Sequence, residues 1–341
     1  MSALRGLALL PLLLAGGKWE VVPGPRFDVW STSAADRARY SPVAEDVGQR
    51  FEDLFVEFPG VRAAVILRRI EIHRKGDGLP PSPPSLPDPP GPEWKKGCVT
   101  WSLEFQPGAA LRFPTGVAEI PRNLPEIFEE DGFRMHLAEE SFRHLVAERT
   151  GGSLPEDGYG SPLPDWLDAA CRGYHRVEAS RSGALSAVQF RLQQGRYIPL
   201  DELFTMAIPK WLPPPDLPGT PGGKGGGSPA GDSEAELHRW MDQNWRADGF
   251  QDQSESVLEF LVESYGAPFV RQIVDVHCRN LGFSNVFPWL KRNAKDLRIP
   301  GGAVPETISD LEKAWLAWVR AWSPAGGVPP AKDGKAPKGA K

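Results

Sequence analysis

The hydrophobic pattern of this chain changes from strand-like alternation to helical spacing at about Leu124. Before that residue, short segments such as residues 26–32 alternate apolar and polar side chains, which favours half-buried strands. After it, apolar residues recur every three or four positions, which is typical of amphipathic helices. Strands followed by helices predict an α+β fold with a small mixed or antiparallel sheet in the N-terminal half and a helical C-terminal half.

The individual elements follow from the same periodicities. The predicted strands lie within residues 26–32, 62–73, 98–105 and 109–120, and one long helix is predicted between the first two, over residues 34–58. The predicted helices of the second half cover residues 131–150, 164–177, 200–208, 233–264, 268–280, 283–293 and 305–322.

Proline and glycine, 36 of each in 341 residues, cluster in segments without apolar periodicity. Residues 76–93 are dense in proline, which predicts an extended, polyproline-like insertion. Residues 213–232 begin with prolines and end in a glycine run, as linkers do, and residues 323–341 have the composition of a disordered tail. These breaks predict an N-terminal α+β subdomain over residues 18–150 and a helical subdomain over residues 151–322.

The first 17 residues have the composition of a secretory signal peptide. Arg5 precedes an apolar run over residues 7–14, and Ala15 and Gly17 are small residues of the kind that precede a cleavage site. The run is too short to cross a bilayer as a helix. We therefore expect export to the periplasm, the cell surface or the medium, with no transmembrane span in the mature chain. The alternative is a buried N-terminal strand or helix.

Charge and cysteine content exclude several classes of function. A formal net charge of −5 lacks the basic excess that nucleic-acid binding requires, so no nucleic-acid partner is expected. Cys98, Cys171 and Cys278 show no C-x-x-C spacing, which argues against a disulfide framework and a cysteine zinc site. The glycine run at residues 222–228 lacks the spacing of a phosphate-binding loop, and no G-x-S-x-G elbow supports a serine hydrolase.

Two segments of the second half resemble the active-site helices of a zinc metallopeptidase family. Residues 135–152 (MHLAEESFRHLVAERTGG) are similar to the H-E-x-x-H helix of the peptidase-MA-like, gluzincin-type domain. Residues 163–176 (LPDWLDAACRGYHR) are similar to its downstream W-L-x-E-G-x-A-x-Y helix, whose Glu is the third zinc ligand. The order of elements from Phe27 to about Val319 also resembles this family, with the proline-rich segments as insertions. The resemblance implies a zincin-like fold.

Matching the chain to these motifs leaves all three protein ligands of the zinc missing. Glu139 and Arg143 stand in the places of the two His ligands, and Ala169 stands in the place of the Glu ligand. Glu140 alone keeps the residue type of its place, that of the general base. A guanidinium has no lone pair to donate and repels a divalent cation. The resemblance therefore implies a degenerate site with no metal, no cofactor and no catalytic residue.

Helical spacing predicts how such a site is neutralised without metal. Glu139 and Arg143 are four residues apart, as are Glu140 and His144, so each pair lies on one helix face. We expect each pair to form an ion pair, so that the helix face that carries the zinc ligands in the family is neutralised here without metal. Glu140 has no metal-activated water to deprotonate, since lowering the pKa of that water is the contribution of the metal.

Three functions remain open on this sequence. The preferred interpretation is a catalytically inactive zincin-like protein, a pseudo-metallopeptidase, with a binding or structural role outside the cytoplasm and an unidentified protein or peptide partner. The first alternative is an active metallohydrolase with ligands relocated around Glu140 and His144, completed by Asp168, Cys171 or His175. The second alternative is a scaffold subunit of an envelope or cell-surface assembly.

Overall fold

The structure is a computed structural model that describes residues 18–55, 69–73, 98–102, 112–113, 116–117, 124–151, 161–209, 230–297 and 304–322. Helices dominate these residues, and a small sheet lies in the N-terminal part. The predicted α+β class is therefore confirmed. The predictions for residues 1–17, 76–93, 213–232 and 323–341 concern segments outside the described residues, except that a helix already begins at Ala230.

Four strands form one mixed sheet in the order β1-β2-β3-β4. Strands β1 (Glu20–Pro23) and β2 (Asp28–Ser31) are antiparallel. Strands β3 (Arg69–His73) and β4 (Cys98–Ser102) continue the sheet in parallel to β2. A parallel neighbour requires a long crossover, and the helix between β2 and β3 provides one.

The register of the parallel strands places apolar residues of the sheet side by side. Val29 lies opposite Ile70, and both side chains are buried. They pack with apolar residues of the two helices nearest the sheet in one cluster, which consists of Phe27, Val29, Tyr40, Val43, Ala44, Val47, Ile70, Ile72, Phe133, Leu137 and Ala138. The sheet therefore packs against the helix that follows β2 and against the helix at residues 124–150.

Strand β1 was not predicted from the sequence. Its four residues, EVVP, are all exposed and show no apolar alternation, so it carries no local strand signal. Strands β5 (Arg112–Phe113) and β6 (Gly116–Val117) form a separate antiparallel pair within the predicted span 109–120.

The described helices run from α1, directly after β2, to the C-terminal end of the fold. Their bounds are α1 (Ala34–Phe55), α2 (Leu124–Thr150), α3 (Asp165–Tyr174), α4 (Glu178–Gln193), α5 (Leu200–Leu203), α6 (Ala230–Tyr265), α7 (Ala267–Cys278), α8 (Phe287–Asn293) and α9 (Ile308–Ala321). A 3-10 turn at Phe283–Val286 leads into α8, and a second follows it at Ala294–Asp296. Among these helices, none combines the length and the apolar composition that a membrane crossing needs.

Helix α4 was missed because its sequence carries few core residues. Three of its side chains are buried apolar groups, Ala184, Leu185 and Val188, separated by small and polar residues. Its N-terminus is stabilised by Asp131 of α2, whose carboxylate accepts hydrogen bonds from the Val177 backbone N–H, at 2.7 Å, and from the Ser180 hydroxyl. A capping carboxylate from another helix satisfies the free N–H groups without leaving a local sequence signal.

The larger apolar core lies among the helices of the second half. Helix α6 contacts α3, α4, α7 and α9, and its contact with α3 is the most extensive between any two described elements. Aromatic rings fill this core: the centroid of Phe204 lies 4.6 Å from that of Trp166 and 4.1 Å from that of Phe283. Phe51 of α1 and Phe142 of α2 belong to the same cluster, so this core continues across residue 150.

Candidate functional site

Helices α2 and α3 pack against each other and bring together the two segments that resemble metallopeptidase motifs. The guanidinium of Arg172 on α3 forms an ion pair with Glu139 on α2, with Nε 3.4 Å from Oε2. Ala169 lies one helical turn before Arg172. Glu139 and Arg143 on α2 and Ala169 on α3, the three residues that the resemblance matches to zinc ligands, are therefore on neighbouring helices.

Arg143, also on α2, has a nearly buried guanidinium group. Its side chain is 6% exposed, and its Nη1 lies 2.5 Å from Oε1 of Glu140, which is 20% exposed. A guanidinium remains charged at physiological pH, so its burial requires an anion nearby. Glu140, the residue in the place of the general base, supplies that negative charge.

The observed ion pairs differ from the predicted ones. The sequence predicted Glu139 with Arg143 and Glu140 with His144, whereas the structure pairs Glu140 with Arg143 and Glu139 with Arg172. Residues three and four apart are both neighbours on a helix, so spacing alone could not choose between Glu139 and Glu140. Arg172 comes from a different helix and competes for Glu139.

His144 does not need Glu140 as a counterion. Burial lowers the pKa of His144 below its usual range; Glu140 raises it in part, and Arg143 lowers it further. The imidazole is therefore neutral at pH 7. This leaves the Glu140 carboxylate to Arg143.

Ala169 has no side-chain atom that could bind a metal, and its backbone carbonyl is already engaged. The carbonyl oxygen accepts a hydrogen bond of 2.5 Å from Nε2 of Gln251 on α6. Its methyl group belongs to the large apolar core. Ala169 is thus part of the packing between α3 and α6.

The residues proposed as relocated ligands each have a separate role in the fold. Asp168 accepts hydrogen bonds from the backbone N–H and the hydroxyl of Ser161, at 2.8 and 3.2 Å, and burial raises its pKa to about 6. His175 is completely buried, its Nδ1 lies 2.7 Å from the Cys171 carbonyl oxygen, and burial lowers its pKa to about 4. Burial also raises the pKa of the Cys171 thiol well above its usual range.

These side chains do not converge with Glu140 and His144. Within the part of the chain that the structure describes, no three His, Cys, Asp or Glu residues are grouped as metal ligands. The described residues therefore offer no geometric support for the relocated site.

A second cluster of charged residues, between α6 and the segment from α3 to α4, was not predicted. Three carboxylates recur at helical spacing on one face of α6 and form what we call the acidic stripe: Asp252, Glu255 and Glu259. Each meets an arginine. Arg191 donates two hydrogen bonds of 3.1 Å to Asp252, Arg176 donates one of 3.0 Å to Glu255, and Arg181 lies 3.5 Å from Glu259.

The sequence signal for this cluster was the helical spacing of the three acidic residues. Residues spaced by three and four on a helix that also carries apolar residues are normally assigned to its solvent face. Here the acidic face of α6 is also covered, because Arg176, which follows α3, and the arginines of α4 contact it. Local sequence could not distinguish an acidic solvent face from an acidic interface.

A groove of about 830 Å³ lies elsewhere, between α5, α8 and the start of α9. Its lining includes the apolar side chains of Phe287 and Ile308 and the carboxylates of Asp201, Glu306 and Glu312. Glu312 is already engaged, since it accepts a hydrogen bond of 2.6 Å from the Leu200 backbone N–H. The elements that form this groove are therefore different from α2 and α3.

Comparison with known proteins found no family model that matches the chain. It found no matching curated protein and no matching solved structure either. The functional interpretation therefore depends on the residues and contacts described above.

Proposed function

We propose that this protein is a catalytically inactive, zincin-like domain with a binding or structural role outside the cytoplasm. The observation that carries the proposal is the ion pair between the buried Arg143 and the partly exposed Glu140, in the places of a zinc ligand and the general base. A guanidinium in the ligand place repels a divalent cation and has no lone pair to offer it. Glu140 serves as a counterion instead of a base.

A second pair supports the same interpretation. In the family pattern W-L-x-E-G-x-A-x-Y, Arg172 stands in the place of the Ala, and Glu139 stands in the place of the first His of H-E-x-x-H. These two residues form an ion pair across α2 and α3. Two glutamates and two arginines thus occupy the region, with balanced formal charge. This arrangement is that of a structural contact between helices rather than of a metal site that is merely empty.

The direct test measures metal content and activity of the purified full-length chain. We expect far less than one zinc per chain after dialysis against zinc, and no cleavage of casein. Near-stoichiometric zinc that is lost in Glu140→Ala or His144→Ala would contradict the proposal and support the relocated metallohydrolase.

A restoration experiment tests the zincin-like geometry separately. The four changes Glu139→His, Arg143→His, Ala169→Glu and Arg172→Ala would supply the ligand set and remove both guanidinium groups, so we expect a gain of zinc affinity. The matched control is the triple variant that keeps Arg172, which should bind zinc more weakly because a cation remains beside the site. Activity is not expected to follow, since the residues that orient ligands and substrate are not restored.

No gain of zinc affinity in a correctly folded four-change variant would contradict the zincin-like assignment. Export is tested on its own, by mass spectrometry of the protein made in a secreting host. Cleavage after Gly17 should yield a chain that begins at Lys18.

A further inference from the structure

Glu255 is the most deeply buried carboxylate of the acidic stripe, with 1% of its side chain exposed. It packs against Gly173 of α3: a Cβ atom at residue 173 would lie 2.7 Å from Cβ and 2.8 Å from Cδ of Glu255. Real Cβ atoms do not make such close contacts. The missing side chain of Gly173 therefore provides the room that the Glu255 carboxyl group occupies.

The hydrogen bonding of this carboxyl group is incomplete. Its Oε2 accepts one hydrogen bond of 3.0 Å from Nη1 of Arg176, whereas its Oε1 is buried without a hydrogen-bond partner among the described residues. The same Nη1 lies 3.7 Å from Oδ1 of Asp252, so Arg176 divides its charge between two carboxylates. An ionised carboxylate with so few partners costs more free energy to bury than a protonated carboxyl group does.

The charged groups around Glu255 come from α6 and from the segment between α3 and α4. Burial is the largest effect on its pKa, Arg176 opposes it, and the Asp252 and Glu259 carboxylates on α6 add to it. The net result raises the pKa of Glu255 to about 8.

The arginines of α4 do not relieve Glu255. Arg191 donates both of its hydrogen bonds in this cluster to Asp252. Arg181 contacts Glu259 and the exposed Glu178. Arg191 and Arg181 therefore pair with the carboxylates at the two ends of the acidic stripe, and Arg176 is the arginine that contacts Glu255 at its centre.

We propose that the contact between Gly173 of α3 and Glu255 of α6 is a pH-sensitive joint, closed while Glu255 is protonated and loosened when alkaline conditions ionise it. The negative charge needs water that the close contact with Gly173 excludes, so ionisation favours separation of α3 from α6. The joint is independent of the function proposed above, since it involves neither Glu140 nor Arg143.

The direction of the pH dependence follows from the raised pKa. Between the ordinary value of 4.5 and about 8, the folded protein holds a proton on Glu255 that the unfolded chain releases. The stabilisation is therefore fully present below about pH 4.5 and is lost as the pH rises through about 8. Within this window one such proton changes the unfolding equilibrium constant by up to about tenfold per pH unit.

The test compares urea unfolding of the full chain and of Glu255→Gln from about pH 5.5 to about pH 8.5. The unfolding constant of the wild type should rise relative to that of the variant by up to about tenfold per pH unit, and the difference should level off above about pH 8. The matched control is Glu306→Gln, which removes an exposed carboxylate paired with Lys291 and should follow the wild type.

Infrared spectra of the folded wild type provide a readout that does not depend on variant stability. The carbonyl band of a protonated carboxyl group should persist above pH 7 and disappear near pH 8, and it should be absent from Glu255→Gln but present in Glu306→Gln. Hydrogen exchange of α3 amides should accelerate over the same interval beyond the intrinsic effect of pH. Parallel unfolding curves for wild type and Glu255→Gln, or no protonated carboxyl band above pH 7, would overturn the proposal.

Discussion

Arginines on the described helices contact carboxylates of other elements as well as carboxylates of their own helix. Arg134 of α2 lies 2.5 Å from Asp46 of α1, and Arg149 of α2 lies 2.5 Å from Asp275 of α7. Arg143 differs, because its carboxylate partner Glu140 is on the same helix. Since the energy of an ion pair depends on its burial, these contacts are not equivalent.

At the scale of single residues, two Glu–Arg pairs with identical i, i+3 spacing should differ in their contribution to stability. Glu140→Ala removes the carboxylate beside the nearly buried Arg143, and we expect it to lower the free energy of unfolding by about 1–3 kcal/mol. Glu178→Ala removes a carboxylate that is 80% exposed beside Arg181, and should cost about 0.5 kcal/mol or less. Chemical denaturation of both variants at neutral pH measures the difference. Equal losses would contradict a structural role for Glu140.

At the scale of elements, the contact between α3 and α6 depends on one residue without a side chain. Gly173 lies against the Glu255 side chain, whereas Gly183 on α4 has no atom within 4 Å of where its Cβ would be. Both glycines are inside helices, where alanine is intrinsically the better residue by about 0.5–1 kcal/mol. Packing therefore decides which of the two glycines the fold requires.

The two glycines predict stability changes of opposite sign. Gly173→Ala should destabilise the protein by about 1–3 kcal/mol, because its Cβ forces Glu255 or the helices apart. Gly183→Ala should stabilise it by about 0.5–1 kcal/mol through helix propensity alone. Urea unfolding of the two single variants tests this, and a stabilising Gly173→Ala would show that α3 does not approach α6 as closely as described.

At the scale of the whole molecule, helices on both sides of residues 213–229 share one core. Helix α6 begins at Ala230 and packs on α3 and α4, which precede those residues in the chain. The arginines of the α3–α4 segment also hold the acidic stripe of α6. The contacts that hold the described helices together therefore do not require the chain to be intact in the segment before α6.

A cut within residues 213–232 should therefore leave the protein assembled. We expect a protease recognition sequence inserted between Gly226 and Gly227 to be cleaved in the folded protein, with both fragments eluting together in gel filtration and separating only in denaturant. The same sequence inserted in α6 between Phe260 and Leu261, two buried residues, is the control and should prevent folding. Separation of the fragments without denaturant would contradict a core shared across the segment.

The sequence alone determined the order of strands and helices and most helix positions. Helix α9 was predicted over residues 305–322 and is observed at Ile308–Ala321, because apolar spacing of three and four is a local property of an amphipathic helix. The sequence did not predict α4 or β1. The position of α4 depends on its contact with Asp131, and the position of β1 depends on pairing with β2. For the candidate site, the sequence alone also determined that Arg143 and Ala169 have no side-chain atom that could bind zinc.

Tertiary structure alone decided which charges meet. Helical spacing allowed Arg143 to pair with either Glu139 or Glu140, and the packing of α3 on α2 decided between them by bringing Arg172 to Glu139. The burial of Glu255 beside Gly173 is likewise a property of the contact between α6 and α3, 82 residues apart in the chain. A side chain's own sequence neighbourhood defines its helix face, but its pKa and its ion-pair partner depend on which other element covers that face.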